Sequence, residues 1–133
     1  MAAMAPVRGF SGWIGTVIGT PDPAGLARFY AGLLGGVVDD RDESFATLRV
    51  TGDDSTYLAF QLEPDHVPPV WPTPGAGDQQ MQVHLDVGVT GVAAAVEDAE
   101  TLGATLPEFQ PQDDVRVMLD PAGHPFCLYL DEE

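Results

Sequence analysis

The chain has no lysine, and its 133 residues include only five arginines. Against them stand 21 aspartates and glutamates, a formal net charge of −16 at pH 7. That imbalance argues against nucleic acid and anionic membrane as partners, since both require a basic surface. Cysteine is nearly absent. A single Cys127 permits no intrachain disulfide and no cysteine-rich metal site. Long apolar runs are missing as well. None approaches the ~20 residues that cross a bilayer, and the opening residues carry no apolar segment of the secretory kind. The expected location is the cytoplasm.

What is present suits one ordinary domain over 1–133. At 44% hydrophobic, the chain can bury a core without staples, and 15 glycines with 12 prolines supply many turns. Residues 13–19 alternate, with Ile14, Thr16 and Ile18 on one face and Gly15, Val17 and Gly19 on the other, which predicts a strand. Asp22 is placed to cap a helix that begins at Pro23. Leu26, Phe29, Tyr30, Leu33 and Leu34 form its apolar stripe, and Gly35-Gly36 ends it. Strands are predicted at 37–39, 45–50 and 57–63. A connector rich in proline, 64–80, follows.

The pattern then repeats. A strand is predicted over 81–89, with His84 and Asp86 alternating away from Val83, Leu85 and Val87. Thr90 is the expected cap of a helix whose stripe is Val92, Val96, Ala99 and Leu102, and Gly103 stops it. Further strands are expected at 105–109, 115–119 and 126–130, with Asp120-Pro121-Ala122-Gly123 as a tight turn. Gly35 falls on Gly103 and Asp22 on Thr90 at an offset of 68 residues. The reading is a duplicated βαβββ unit, eight strands and two helices in all. Unit one spans about 11–63 and unit two 81–131. The fold class is α+β, with curled mixed sheets paired by a pseudo-twofold axis around a cleft.

Three stretches carry a family likeness: PDPAGLARFYAGLLGG at 21–36, MQVHLDVGV at 81–89 and LDPAGHPFCLYL at 119–130. Together they resemble the vicinal oxygen chelate superfamily, which includes glyoxalases, bleomycin-resistance proteins and extradiol dioxygenases, and most of all its small glyoxalase-like branch. In metal-using members, the resemblance implies, four inner-face side chains from the first and last strand of each unit hold a divalent ion. Carried onto this chain, those positions are Gly15, Ala59, His84 and Cys127. Glycine and alanine offer no donor, and two ligands are too few for such a site. No metal of the usual kind and no cofactor are therefore expected, unless a shifted register brings in Gln61 or Glu63.

The residues expected to line the cleft are His84, Gln61, Trp71, Tyr129, Cys127, Trp13 and Arg116. His84 is the candidate general base or ligand donor. Gln61 can donate and accept, and Arg116 can clamp a carboxylate if it faces inward. Cys127 reads as a small apolar filler rather than a nucleophile, because few cations are available to lower its pKa. Trp71, set among prolines, suits a lid or a subunit contact; Trp13 and Tyr129 suit aromatic walls. His66 is expected to be exposed, and His124 to trim the turn before it. These features favour a protein that binds or sequesters an aromatic or cationic metabolite or antibiotic. The alternative is a lyase, isomerase or dioxygenase-type enzyme using His84 as base or within an altered metal site. A homodimer is expected, partly from the apolar connector around Val67 and Trp71.

Overall fold

The computed structural model describes residues 2–52 and 56–131. Unit one runs β1 (Thr16–Thr20), α1 (Pro23–Leu34), β2 (Val37–Asp42), β3 (Phe45–Arg49) and β4 (Tyr57–Leu62). Unit two runs β5 (Leu85–Val89), α2 (Val92–Leu102), β6 (Val115–Leu119) and β7 (Pro125–Leu130). The first sheet has the order β1-β4-β3-β2 and the second β5-β7-β6. In each sheet the first strand lies parallel to the last and the remaining pairs are antiparallel. This is the expected α+β duplication, and the sheets do not close. Among the described residues no helix is long and apolar enough to cross a membrane.

Local chemistry sets the boundaries. Asp22 accepts a bond from the Gly25 amide at 3.0 Å, and Pro23 opens α1. Gly36 leaves the helix at φ +136, and a Cβ there would stand 2.3 Å from the Arg49 carbonyl oxygen, so only glycine fits between α1 and β3. Helix α2 departs from expectation at its start. Its cap is Gly91, with no side-chain bond, because Thr90 lies one residue too early to reach the free amides.

The second unit also lacks a regular fourth strand among the described residues. Where 105–109 was expected to pair, only the Thr105–Leu119 bridge forms. Pro107 has no amide to donate. The Gln110 side chain takes the vacant place: its Oε1 accepts from the Val117 amide at 2.8 Å, and its Nε2 donates to the Val117 carbonyl at 3.0 Å. One carboxamide thus completes the backbone pairing of a buried strand residue.

The pleat sorts side chains as the two-residue period demands. Ile18, Leu48, Leu58 and Phe60 of the first sheet, and Val87, Met118, Phe126 and Leu128 of the second, pack into one core with α1 and α2. Tyr30 of α1 stacks on Phe60 at 5.7 Å and meets Phe126 edge-on at 6.1 Å, so a single ring joins the two sheets. Each such side chain taken from water contributes ~1.5–3 kcal/mol. Strands β1 and β5, the free edges of their sheets, border a narrow cleft of about 130 Å³ that includes Tyr30, Val17, Val83 and His84.

Candidate functional site

The site grows from the pairing of β5 with β7. Asp86 lies directly opposite Cys127, and Gly88 opposite Tyr129. Asp86, Cys127 and Tyr129 therefore share the face turned away from the helices, and His84, two residues before Asp86, joins them. Val117 of β6 pairs with Cys127 and completes the floor. Trp71 of the connector lies over this face, its ring stacked on His84 at 5.3 Å and 18°. The result is a pocket of about 480 Å³.

Its polar groups converge. His84 Nδ1 stands 3.1 Å from Asp86 Oδ1. A ring nitrogen of His84, a carboxylate oxygen of Asp86 and the sulfur of Cys127 all lie within 4.8 Å of one another. Burial, reinforced by the Asp86 charge, pushes the Cys127 thiol up to about 11, so it is protonated at neutral pH. A larger open groove of about 660 Å³ runs between the connector and Pro107–Phe109 side chains, but it lacks this convergence of titratable groups.

Of the expected residues, His84, Cys127, Tyr129 and Trp71 meet in one pocket. Gln61 does not join them: it lies on the first sheet, exposed, with Nε2 bonded to Glu63 Oε2 at 2.7 Å. Trp13 packs edge-on against Tyr57 at 5.2 Å and remains outside the pocket. Arg116 is on the opposite side of the sheet. It pairs with Leu128 on the helix face and lines a groove against Val92 and Val96 of α2. Its guanidinium curls around the edge strand to the Gln112, Asp113 and Val115 carbonyls. The burial of Val117 (1% exposed) on the inner face explains this choice, since alternation then sends Arg116 the other way.

Asp86 was not among the expected lining residues, yet its two-residue spacing from His84 places both on one face and it joins the pocket. A second cluster lies beyond the pocket. Tyr30 donates to Asp120 Oδ2 at 2.6 Å, and the Ala122 and His124 amides donate to Oδ1. Burial raises the pKa of both Tyr30 and Asp120. His124 bonds the Gly19 carbonyl at 2.7 Å across the units. His66, expected in the open, is half-buried, bonded to the Ala122 carbonyl and in ring contact with His124.

The four positions that the family likeness assigns to a metal do not fit one. A Cβ on Gly15 would fall 2.7 Å from the Trp13 ring and 2.8 Å from Tyr57, so those rings occupy the space of a ligand side chain. Ala59 is fully buried and has no donor. Gln61 and Glu63 bond to each other and border neither space next to His84.

The family model described as a glyoxalase-like domain matches residues 15–129. A glyoxalase/bleomycin resistance protein/dioxygenase family enzyme from Burkholderia phytofirmans is similar at TM-score 0.64 and 19% identity, covering 90% of this chain and 98% of its own. The fosfomycin resistance protein FosX from Mesorhizobium loti is similar at TM-score 0.60 and 12% identity, covering 92% and 93%. The hypothetical protein SA1046 from S. aureus gives 0.63 and 14%, covering 92% and 100%. At these identities the likeness is one of fold. Among curated proteins none matches the chain.

Proposed function

The chain belongs to the glyoxalase-like domain family, and from that premise we propose that it binds and sequesters a small aromatic or cationic molecule in the pocket of Trp71, His84, Cys127 and Tyr129. One observation carries the reading. The Trp71 ring stacked on His84 makes an aromatic wall beside the Asp86 carboxylate, and among the described residues no arginine lines the space. Aromatic faces and a carboxylate suit a planar or positively charged guest, and the net charge of −16 concentrates cations around the molecule. Neighbours of similar fold bear the names of bleomycin and fosfomycin resistance, which favours a metabolite or antibiotic as the guest.

The test is native mass spectrometry of tag-free protein exposed to a mixture of metabolites and cationic antibiotics. One compound is expected per chain, lost on Trp71→Ala. Equal retention by Trp71→Ala would refute the reading. The enzymatic alternative is favoured by the His84–Asp86 contact, which holds Nδ1 and leaves Nε2 for a substrate proton. Recovery of a chemically altered compound, abolished by His84→Ala, would select it.

A homodimer goes with this reading. Trp71 is engaged by its own chain, so support for a second copy comes from exposed Ile14 just before strand β1, Val17 within it, and Val83. Sedimentation equilibrium is expected to return the mass of two chains; the mass of one would remove this part.

A further inference from the structure

The β5–β7 ladder places three different donors on one small patch. Asp86 and Cys127 are register partners and His84 is two residues upstream on the same face, so the backbone holds their Cα atoms in a fixed array. Their donor atoms already lie within 4.8 Å of one another. We propose that His84, Asp86 and Cys127 form a metal site of their own, holding a borderline-soft divalent ion of the zinc class with a further position open to the pocket beneath Trp71.

The donor set decides the class of ion. One imidazole nitrogen, one carboxylate oxygen and one thiolate sulfur suit zinc or a similar transition ion; magnesium and calcium take oxygen alone. Bonds of about 2.0–2.3 Å in a tetrahedral arrangement put ligand atoms roughly 3.3–3.8 Å apart. Closing from the observed spacing requires a shift of about an ångström. The two side chains that must move, His84 and Asp86, are exposed, while Cys127 is buried and fixed. Binding replaces the Cys127 S–H bond with a sulfur–metal bond. The proton leaves to solvent and no electron is transferred. A thiolate beside a carboxylate is a repulsive pair, and the cation between them reverses that sign. Three protein donors leave a place for water or a guest atom, as in open rather than closed sites. The set keeps His84 and Cys127, two of the four positions the likeness assigns, and adds Asp86 of unit two, where Gly15 and Ala59 of unit one supply no donor. An ion held here takes up the Asp86 charge, so it is compatible with a neutral planar guest in the pocket and competes with a cationic one.

The probe is Co²⁺, titrated into the tag-free full chain with Mg²⁺ in excess to occupy exposed carboxylates. The expected result is saturation at one ion per chain. It is accompanied by a sulfur-to-cobalt charge-transfer band in the near ultraviolet, which Zn²⁺ bleaches by displacement. Cys127→Ala should abolish the band, and His84→Ala and Asp86→Asn should each weaken binding by ~10-fold or more. His84 and Asp86 are exposed, so those two variants decide the matter if Cys127→Ala fails to fold. Absence of the band, its survival in Cys127→Ala, or equal affinity across the His84 and Asp86 variants would overturn the proposal.

Discussion

Asp120 shows how a single residue spans the two units. It is 3% exposed, yet it carries a carboxylate. Burial raises its pKa above the ordinary 3.8 and outweighs the Tyr30 hydroxyl, the nearby His124 ring and the Ala122 and His124 amides, all of which favour the charged form. A folded state that keeps this proton while the unfolded chain releases it loses stability as pH increases. The contribution is whole below 3.8 and is lost as pH rises through the raised native value. Asp120→Asn lacks this dependence. Denaturant titrations across acidic pH should therefore show the wild type losing ground to Asp120→Asn as pH rises, then running level. A gap that widens in favour of the wild type would mean that the donors, and not burial, control the group.

The residues also mark what alternation can and cannot tell. Period two correctly paired His84 with Asp86 and Cys127 with Tyr129. It could not say that Gln61 and Tyr129, equivalent across the duplication, border different spaces, because the period fixes the face within a strand and not how the two sheets meet. Nor could it orient Arg116. Only the burial of Val117 does so, and an edge strand lets a long cationic side chain on the helix side reach the rim.

At the scale of elements, the two helices begin differently and the difference is measurable. Asp22 bonds the Gly25 amide, whereas Gly91 offers no side chain. Asp22→Ala should cost ~1 kcal/mol. Gly91→Ser should stabilise by a few tenths to ~1 kcal/mol, because a Cβ there meets nothing within 4 Å and a hydroxyl supplies an acceptor. Paired urea titrations check both, and a destabilised Gly91→Ser would show that the cap geometry is misread. The apolar stripes and the Asp22-Pro23 start made α1 plain in the sequence. The missing strand at 105–109 was hidden, because its replacement is a side chain. Gln110→Ala should leave both Val117 backbone groups without partners, at a cost of ~1–3 kcal/mol each if water cannot enter. A loss under 0.5 kcal/mol in the same titration, roughly the floor for a made hydrogen bond, would mean that solvent substitutes for the amide.

At the scale of the whole molecule, charge and duplication dominate. With five cations against 21 anions, the folded chain repels itself. Added sodium chloride should screen this and raise the melting temperature between 0.01 and 0.5 M, over which the Debye length falls from ~30 Å to well under 10 Å. A melting temperature that drops with salt would assign more weight to ion pairs such as Arg28–Asp40 than their exposure allows. Duplication was legible because the order of elements recurs and the helix-ending Gly35 and Gly103 stand 68 residues apart, although the caps, Asp22 and Gly91, do not keep that offset. The pocket's place was less so: it lies on unit two and the connector, with His84 alone also bordering the cleft between units.

A crystal structure of the protein with its retained compound tests that placement. The compound is predicted to lie on the inner face of the second sheet, in contact with the Trp71 and Tyr129 rings and within hydrogen-bond distance of His84 or Asp86. A compound seated in the groove against Pro107 and Phe109, with the space above Cys127 filled only by solvent, would contradict it.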